Sequence, residues 1–406
     1  MKKQGYLLLY MILAAVIFDL YIFSMQLQGT GFLSAAKCIE GWQCRDYNLY
    51  GYQAKNCLWR NLVYCDYDCG PEGCIAQPTA VAGITRLTTS NATQALPRIS
   101  GNYVVYFDNR NSFAGGHDTD VYIYNVASNS EDKIISAGGP VCENDGSGTP
   151  KPCTANDGYK NQANPDISNG IIVFEDYSRV CNLLGEGDVC PTIYKYDVNE
   201  KKATFLIKTN AVQFSPRIDG NNVVWYELDT ETGAISAVWY DISLRIKRNL
   251  GPGQFPAVSN NKVVFMPLSY GNLQLFDIAA QNFQELPVAG SFPVISGNDI
   301  VYSRFDNVDN GTNIYLYDLN TKSEKKINSV TTKIAGGQSI YGNEIAYHAL
   351  RDSYVKIVLY NIATETETII DNSPYNQTNP SIFGNKIAYE KEVDGNKDIY
   401  IYTISE

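Results

Sequence analysis

One short pattern recurs seven times and leaves this chain few choices of fold. A turn pair bearing Gly or Asn is followed by two apolar residues and an aromatic. The copies are Val104-Val105-Tyr106, Ile172-Val173-Phe174, Val223-Val224-Trp225, Val263-Val264-Phe265, Ile300-Val301-Tyr302, Ile345-Ala346-Tyr347 and Ile387-Ala388-Tyr389. The turns before them are Gly101-Asn102, Asn169-Gly170, Gly220-Asn221, Asn260-Asn261, Gly297-Asn298, Gly342-Asn343 and Gly384-Asn385. Such pairs supply the positive φ that tight hairpins need, and β-branched and aromatic runs favour strands. In six of the seven units a proline opens the hairpin: Pro97, Pro165, Pro216, Pro256, Pro293 and Pro380.

A third strand follows in each unit. It ends on Tyr124, Tyr196, Tyr240, Phe276, Tyr317, Tyr360 or Tyr402, and the next residue is Asp or Asn in every unit but the last. Asp or Asn there bonds the backbone of the following turn. Units of four strands at a spacing of roughly 40 residues predict a β-propeller. The seventh unit ends before its fourth strand, and residues 84–89 resemble the fourth strands of the others. The expected fold is all-β: a seven-bladed β-propeller over 84–406, closed by an N-terminal strand that hides two exposed sheet edges.

Residues 1–36 read as a transmembrane helix. Lys2 and Lys3 precede an apolar run interrupted by Asp19. One mid-membrane Asp costs roughly 2.5–3.5 kcal/mol, less than the surrounding Leu, Ile, Val and Phe return together. The lysines place the N-terminus inside. A cleaved signal peptide ending near Ser34-Ala35-Ala36 is the alternative. Both readings put the remainder outside the cytoplasm, anchored in one case and secreted in the other.

The ten cysteines fit export. Cys38, Cys44, Cys57, Cys65, Cys69 and Cys74 fall within residues 37–75, a unit too small for a sufficient core without cross-links, and three disulfides of open connectivity are expected there. A zinc site is the competing reading, but paired CxxC spacing is missing. Residues 76–83 form a linker by composition. Cys142 with Cys153 and Cys181 with Cys190 form two further local pairs.

The repeat Thr312-Asn313-Ile314-Tyr315-Leu316-Tyr317-Asp318-Leu319 and the stretch from Glu392 to Tyr400 resemble TolB-type β-propellers. The stretch from Pro97 to Arg110 is similar to the variant found in archaeal and bacterial cell-surface proteins. The resemblance spans about 84–406 and implies envelope or surface interaction, usually without catalysis. TolB itself has six blades behind an α/β domain, which this chain replaces with an anchor and a Cys-rich unit.

In a propeller the long insertions predicted at 108–119, 137–164, 175–192, 306–312 and 390–397 emerge on one face, where binding residues concentrate. The partner-binding candidates on that face are Asp108, Arg110, His117, Asp118, Asp176, Arg179, Arg304, Asp306, Arg351 and Asp352. Their competing role is to tie neighbouring hairpins together. Asp306 with Asp309, and Asp394 with Asp398, resemble fragments of calcium loops without completing the pattern, and hairpin turns are the competing reading. No other cofactor is expected. Asn91, Asn310 and Asn376 begin glycosylation sequons.

With 43 acidic and 32 basic residues the net charge is −11, which repels phosphate backbones and argues against nucleic acid. Two histidines give little material for His-based metal or triad chemistry. The leading expectation is a non-enzymatic, membrane-anchored propeller that binds an envelope protein or glycan. The alternatives are a polysaccharide lyase or glycosidase built on loop carboxylates, or a structural surface-layer component.

Overall fold

Each of the seven turn pairs is a two-residue hairpin. Ser100 faces Tyr103 across Gly101-Asn102, Ser296 faces Asp299 across Gly297-Asn298, and Phe383 faces Lys386 across Gly384-Asn385. In five turns the glycine comes first, with φ between 56° and 61°. In Asn169-Gly170 and Asn260-Asn261 both residues have positive φ. These are the turns whose twist matches that of the flanking strands.

The computed structural model describes residues 41–46, 49–53, 59–64, 68–70, 73–75, 83–110, 119–134, 141–142, 151–152, 161–180, 189–269, 271–307, 310–329 and 335–405. The chain divides into two units, Met1–Ala82 and Gly83–Glu406. In the first, Gly41–Asp46, Leu49–Gln53 and Trp59–Tyr64 form an antiparallel sheet. A separate hairpin of Asp68–Gly70 and Gly73–Ile75 sets Cys69 opposite Cys74. The expected anchor over 1–36 lies outside the described residues, as do Cys38, Cys57 and Cys65. Among the described residues no helix is long and apolar enough to cross a membrane.

The second unit is all-β. Repeat 1 is a sheet of Gln94–Ser100, Tyr103–Asp108, Asp120–Asn125 and Ser130–Lys133. Repeat 2 has Gln162–Ser168, Ile171–Val180, Val189–Asp197 and Lys202–Phe205. Repeats 3 and 4 share the long strand Ile246–Ser259, the fourth of one and the first of the next. Repeat 5 runs from Ser291–Ser296 to Ser323–Lys326, and repeat 6 from Ala335–Tyr341 to Thr366–Ile369. Repeat 7 has Asn376–Phe383, Lys386–Val393 and Asn396–Thr403, with Ile84–Arg86 as its fourth strand. Tyr400 stands opposite Arg86, and Tyr402 opposite Ile84. The two ends of the second unit therefore share one sheet. The pairing strand is shorter than the expected 84–89, although Leu87 N still donates to Ile399 O at 2.8 Å.

The Asp or Asn after the third-strand aromatic accepts turn amides, as Asp318 does from Asn320 and Thr321 and Asn361 from Thr364. In three of the expected long insertions the described residues extend the flanking strands. Arg179 pairs with Cys190, Asp306 with Gly311, and Val393 with Asn396 across the tight Asp394-Gly395 turn. Hairpin extension satisfies backbone groups that a loose loop would leave to water.

The prolines do not precede the first strands, as the sequence suggests. Each strand starts at least two residues earlier and bulges at the proline. Register shifts fall between Ala95 and Arg98, Phe214 and Arg217, and Thr378 and Ser381, and the other repeats show the same shift. The residue before each proline takes positive φ: Leu96, Asn164, Ser215, Phe255, Phe292 and Asn379 lie between 48° and 52°. Repeat 6 uses Gly337, φ 57°, in place of that residue and has Gln338 where the proline would be. A bulged position has no ladder bond to donate, so proline is tolerated there.

The core lies between sheets. One cluster packs Val104, Tyr106 and Tyr124 of repeat 1 against Ala388, Ile399 and Ile401 of repeat 7. Another joins Val173 and Ile193 of repeat 2 to Val223 and Trp225 of repeat 3. Second strands are apolar on both faces because each face meets a neighbouring sheet. The first strands of successive repeats lie side by side, and that of repeat 7 lies against that of repeat 1.

Candidate functional site

The structure gives most of the predicted charged residues partners within the fold. Arg110 Nη2 donates to Asp108 Oδ2 at 2.6 Å, and its Nη1 to Glu131 Oε2 at 2.6 Å. The guanidinium lies 4.2 Å from the ring centroid of Tyr122. Arg304 repeats the arrangement, bonded to Glu324 at 2.8 Å and 3.8 Å over Tyr315. Arg351 lies 3.6 Å from Glu367. In each case the second-strand tyrosine (Tyr106, Tyr302 or Tyr347) donates its hydroxyl to the same glutamate. Burial, then that hydrogen bond, pushes all three hydroxyls far above the usual tyrosine range. These Tyr–Glu–Arg sets brace second strands to fourth strands, over the third-strand ring in repeats 1 and 5.

Arg179 donates to the carbonyls of Thr209, Asn210 and Ala211, fastening the repeat 2 hairpin to the following connection. Asp176 is buried, Asp306 ends its strand beside the hairpin loop, and Asp352 occupies a turn with φ 54°. His117, Asp118 and Asp309 lie outside the described residues. Cys190 is buried and disulfide-bonded; Cys153 and Cys181 lie outside the described residues, and only the backbone of Cys142 is within them. Asn91, Asn310 and Asn376 are exposed.

Of the calcium candidates, Asp394 tips a hairpin. Asp398 is buried against Arg86 at 2.7 Å, with Thr88 Oγ1 and Asn396 Nδ2 each donating at 3.1 Å. Burial raises this carboxyl to about 6 although Arg86 opposes the rise. Among the described residues no three His, Cys, Asp or Glu side chains converge as metal ligands would.

A different set of side chains gathers at the bulges. The residue just after the second-strand aromatic supports the bulge of the next repeat. Glu175 accepts from Ser215 N at 2.5 Å, Glu390 from Leu96 N at 2.7 Å, and His348 Nδ1 from Asn379 N at 3.3 Å. Asn164 and Asn379 also donate their amides to Glu175 and Glu390, at 2.9 and 2.7 Å. Burial lowers His348 to about 4, with Glu390 opposing, so the ring is neutral near pH 7. With Nδ1 accepting, Nε2 carries the proton. The exposed Gly337 covers this ring, and a Cβ there would stand 2.6 Å from Nδ1. Behind it, Gln338 Nε2 donates to Phe292 O, while its buried Oε1 has no partner among the described residues.

The rim changes character along repeats 3 to 5. Phe214 and Tyr226 have centroids 5.2 Å apart, Tyr226 and Phe255 5.3 Å, and Phe255 and Phe292 4.7 Å. Phe214, Phe255 and Phe292 are half-buried. Half-buried aromatic rings thus follow one another along the bulges of repeats 3 to 5, the first of them next to the Ser215 amide held by Glu175. The sequence reading missed Glu175, Glu390 and the aromatic arc. Their signal was positional: the residue after the Phe or Tyr of the recurrent pattern, and the residue before its proline.

Comparison with known proteins places the fold. No family model and no curated protein matches the chain. Among solved structures it is similar to the β-propeller domain of the Trilobed protease from Pyrococcus furiosus, described as having an open velcro topology. The TM-score is 0.57 at 12% identity, over 77% of this chain and 96% of that one. The Pyrococcus horikoshii acylaminoacyl peptidase matches with TM-score 0.56 and 12% identity over 77% of this chain, which spans about half (51%) of that protein's length. Oligogalacturonate lyase from Vibrio parahaemolyticus matches with TM-score 0.56 and 10% identity, over 81% of this chain and 95% of that one. The second unit thus has a β-propeller fold. Identities this low carry no activity across.

Proposed function

We propose that this chain is a seven-bladed β-propeller closed by its own N-terminal strand, exported and held at the membrane by residues 1–36. In this reading it binds a glycan or a glycosylated protein of the cell envelope without catalysis. Pairing of Ile84–Arg86 with the last strand, and the unbroken succession of neighbouring first strands, support the closed ring. The binding reading rests chiefly on the aromatic arc of Phe214, Tyr226, Phe255 and Phe292, the first of them next to the Ser215 amide held by Glu175. The acidic surface and the exposed sequons agree with an extracytoplasmic setting. Bridges pairing Cys142 with Cys153 and Cys181 with Cys190, as the sequence suggests, would add to the same face.

Glycan arrays and envelope extracts probed with the purified chain test this reading. Phe255→Ala and Phe292→Ala are each expected to weaken glycan capture about tenfold, the loss of one stacking contact, with near-wild-type circular dichroism. Capture unchanged in both variants would remove the rim from the reading. Turnover of a polysaccharide, abolished by a single carboxylate substitution, would replace it with the lyase or glycosidase reading.

A further inference from the structure

Three charged side chains occupy one position on consecutive first strands, immediately after the bulge prolines: Arg98, Asp166 and Arg217. In repeats 4 to 7 that position holds Ala257, Val294, Ser339 and Ser381. The fold therefore does not require charge here. In three repeats the side chain there accepts an amide from the next repeat, a bond that Ala257 and Val294 forgo. Ser381 Oγ accepts from Ile99 N at 3.2 Å, Ser339 Oγ from Ile382 N at 3.1 Å, and Asp166 Oδ2 from Ile218 N at 2.9 Å. A guanidinium has no acceptor, so Arg98 and Arg217 forgo it too.

Each arginine makes one short local bond, Arg98 Nη1 to Pro97 O at 3.0 Å and Arg217 Nη1 to Pro216 O at 2.8 Å. Glu390 acts on Arg98 from further away, and among the described residues the carboxylate at ion-pair distance from it is Asp166, whose Oδ1 is 4.0 Å from Nε. That is an ion-pair distance without a hydrogen bond. The two guanidiniums feel each other's charge, and burial followed by Arg217 lowers Arg98 to about 10. The Arg98 side chain keeps 23% of its surface accessible and Asp166 keeps 14%. Two guanidiniums thus flank Asp166, whose Oδ2 is already engaged, with Glu390 also acting on Arg98, on the inner strands of a protein with net charge −11.

We propose that Arg98 and Arg217 form an oxyanion-binding site, taking a carboxylate or phosphate group of a ligand that reaches the first strands of repeats 1 to 3. The forked donors of two guanidiniums suit either group. Asp166 sets their separation and excludes a second anion. The site rests on the binding reading above only where an acidic sugar is the source of the group.

Thermal melting of the purified full chain in acetate, inorganic phosphate or chloride at equal ionic strength tests it. Acetate and phosphate are expected to raise the melting temperature saturably above chloride, and Arg98→Gln and Arg217→Gln each to abolish the increment. Titration with D-glucuronate and D-glucose then separates the sources. Preference for the acid by about tenfold, lost in both variants, assigns a sugar carboxylate. Phosphate stabilisation without that preference assigns a phosphate ligand. No stabilisation beyond chloride, or stabilisation that survives both substitutions, overturns the site even if neutral glycans bind the aromatic rim. Glutamine retains length and hydrogen bonding, and repeats 4 to 7 fold around uncharged residues here, so both variants are expected to fold.

Discussion

Arg86 and Asp398, 312 positions apart in sequence, form a 2.7 Å ion pair with both side chains buried. Around it Thr88 Oγ1 donates to Asp398 and accepts from Ile399 N at 2.9 Å. One strand from each end of the propeller unit is fixed to the other by this cluster, which lies beside three ladder pairs.

The carboxyl of Asp398 titrates near 6 in the fold against 3.8 when free. The folded state holds the proton more tightly, so this group's contribution is complete below pH 3.8 and is lost as pH rises to about 6. Relative to Asp398→Asn, the wild-type chain should lose about 3 kcal/mol over that window. Urea melts of both proteins across the window measure the difference, and parallel pH profiles would contradict it.

His348 has the opposite sign. Its folded value of about 4 lies below the free 6.5, so the fold resists protonation. Its contribution is complete above pH 6.5 and declines by about 3 kcal/mol as pH falls through 4. His348→Gln should flatten this acid limb while leaving stability at pH 8 within about 1 kcal/mol, because glutamine retains an acceptor for Asn379 N.

Gly337 and Gly342 have nearly the same backbone, φ 57° and 56°, in different surroundings. Nothing lies within 4 Å of a Cβ at Gly342, whereas one at Gly337 would meet His348 at 2.6 Å. Gly342→Ala should cost about 1 kcal/mol of left-handed backbone strain. Gly337→Ala should cost about 2–3 kcal/mol because a buried ring must also move. Equal melting temperatures would show that the ring yields freely.

A glutamine three residues before the proline closes the gap between successive sheets. Gln213 Oε1 accepts from Ile193 N at 2.9 Å, Gln162 from Val121 N at 3.0 Å, and Gln377 from Ile357 N at 3.2 Å. Gln213→Leu should cost about 1–3 kcal/mol by stranding a buried amide. Protection of the Ile193 amide from hydrogen exchange should fall with it.

The arginines of the Tyr–Glu–Arg sets should behave as braces. Arg304 keeps a third of its side chain exposed, so Arg304→Ala should cost only about 1 kcal/mol and leave ligand capture unchanged. Capture lost with stability intact would return Arg304 to the binding surface.

Sequence periodicity alone determined the strand units, their turns and the partner strand near Ile84, because these depend on local φ preferences and on alternation within a few residues. Val104-Val105-Tyr106 reads as a buried strand wherever it is placed. Local pattern also marked Arg110 and Arg304 as candidates, since a charge next to a turn looks free in one dimension. Only the tertiary structure decided otherwise, by bringing Glu131 and Glu324 from fourth strands to within hydrogen-bond reach. The bulges were equally hidden, because the positive φ of Leu96 or Phe255 is stabilised by packing and by acceptors from another repeat rather than by the residue's own preference. Which side chains share a rim depends on how sheets stack around one another, and contacts between residues a whole repeat apart leave no periodic trace in a single chain.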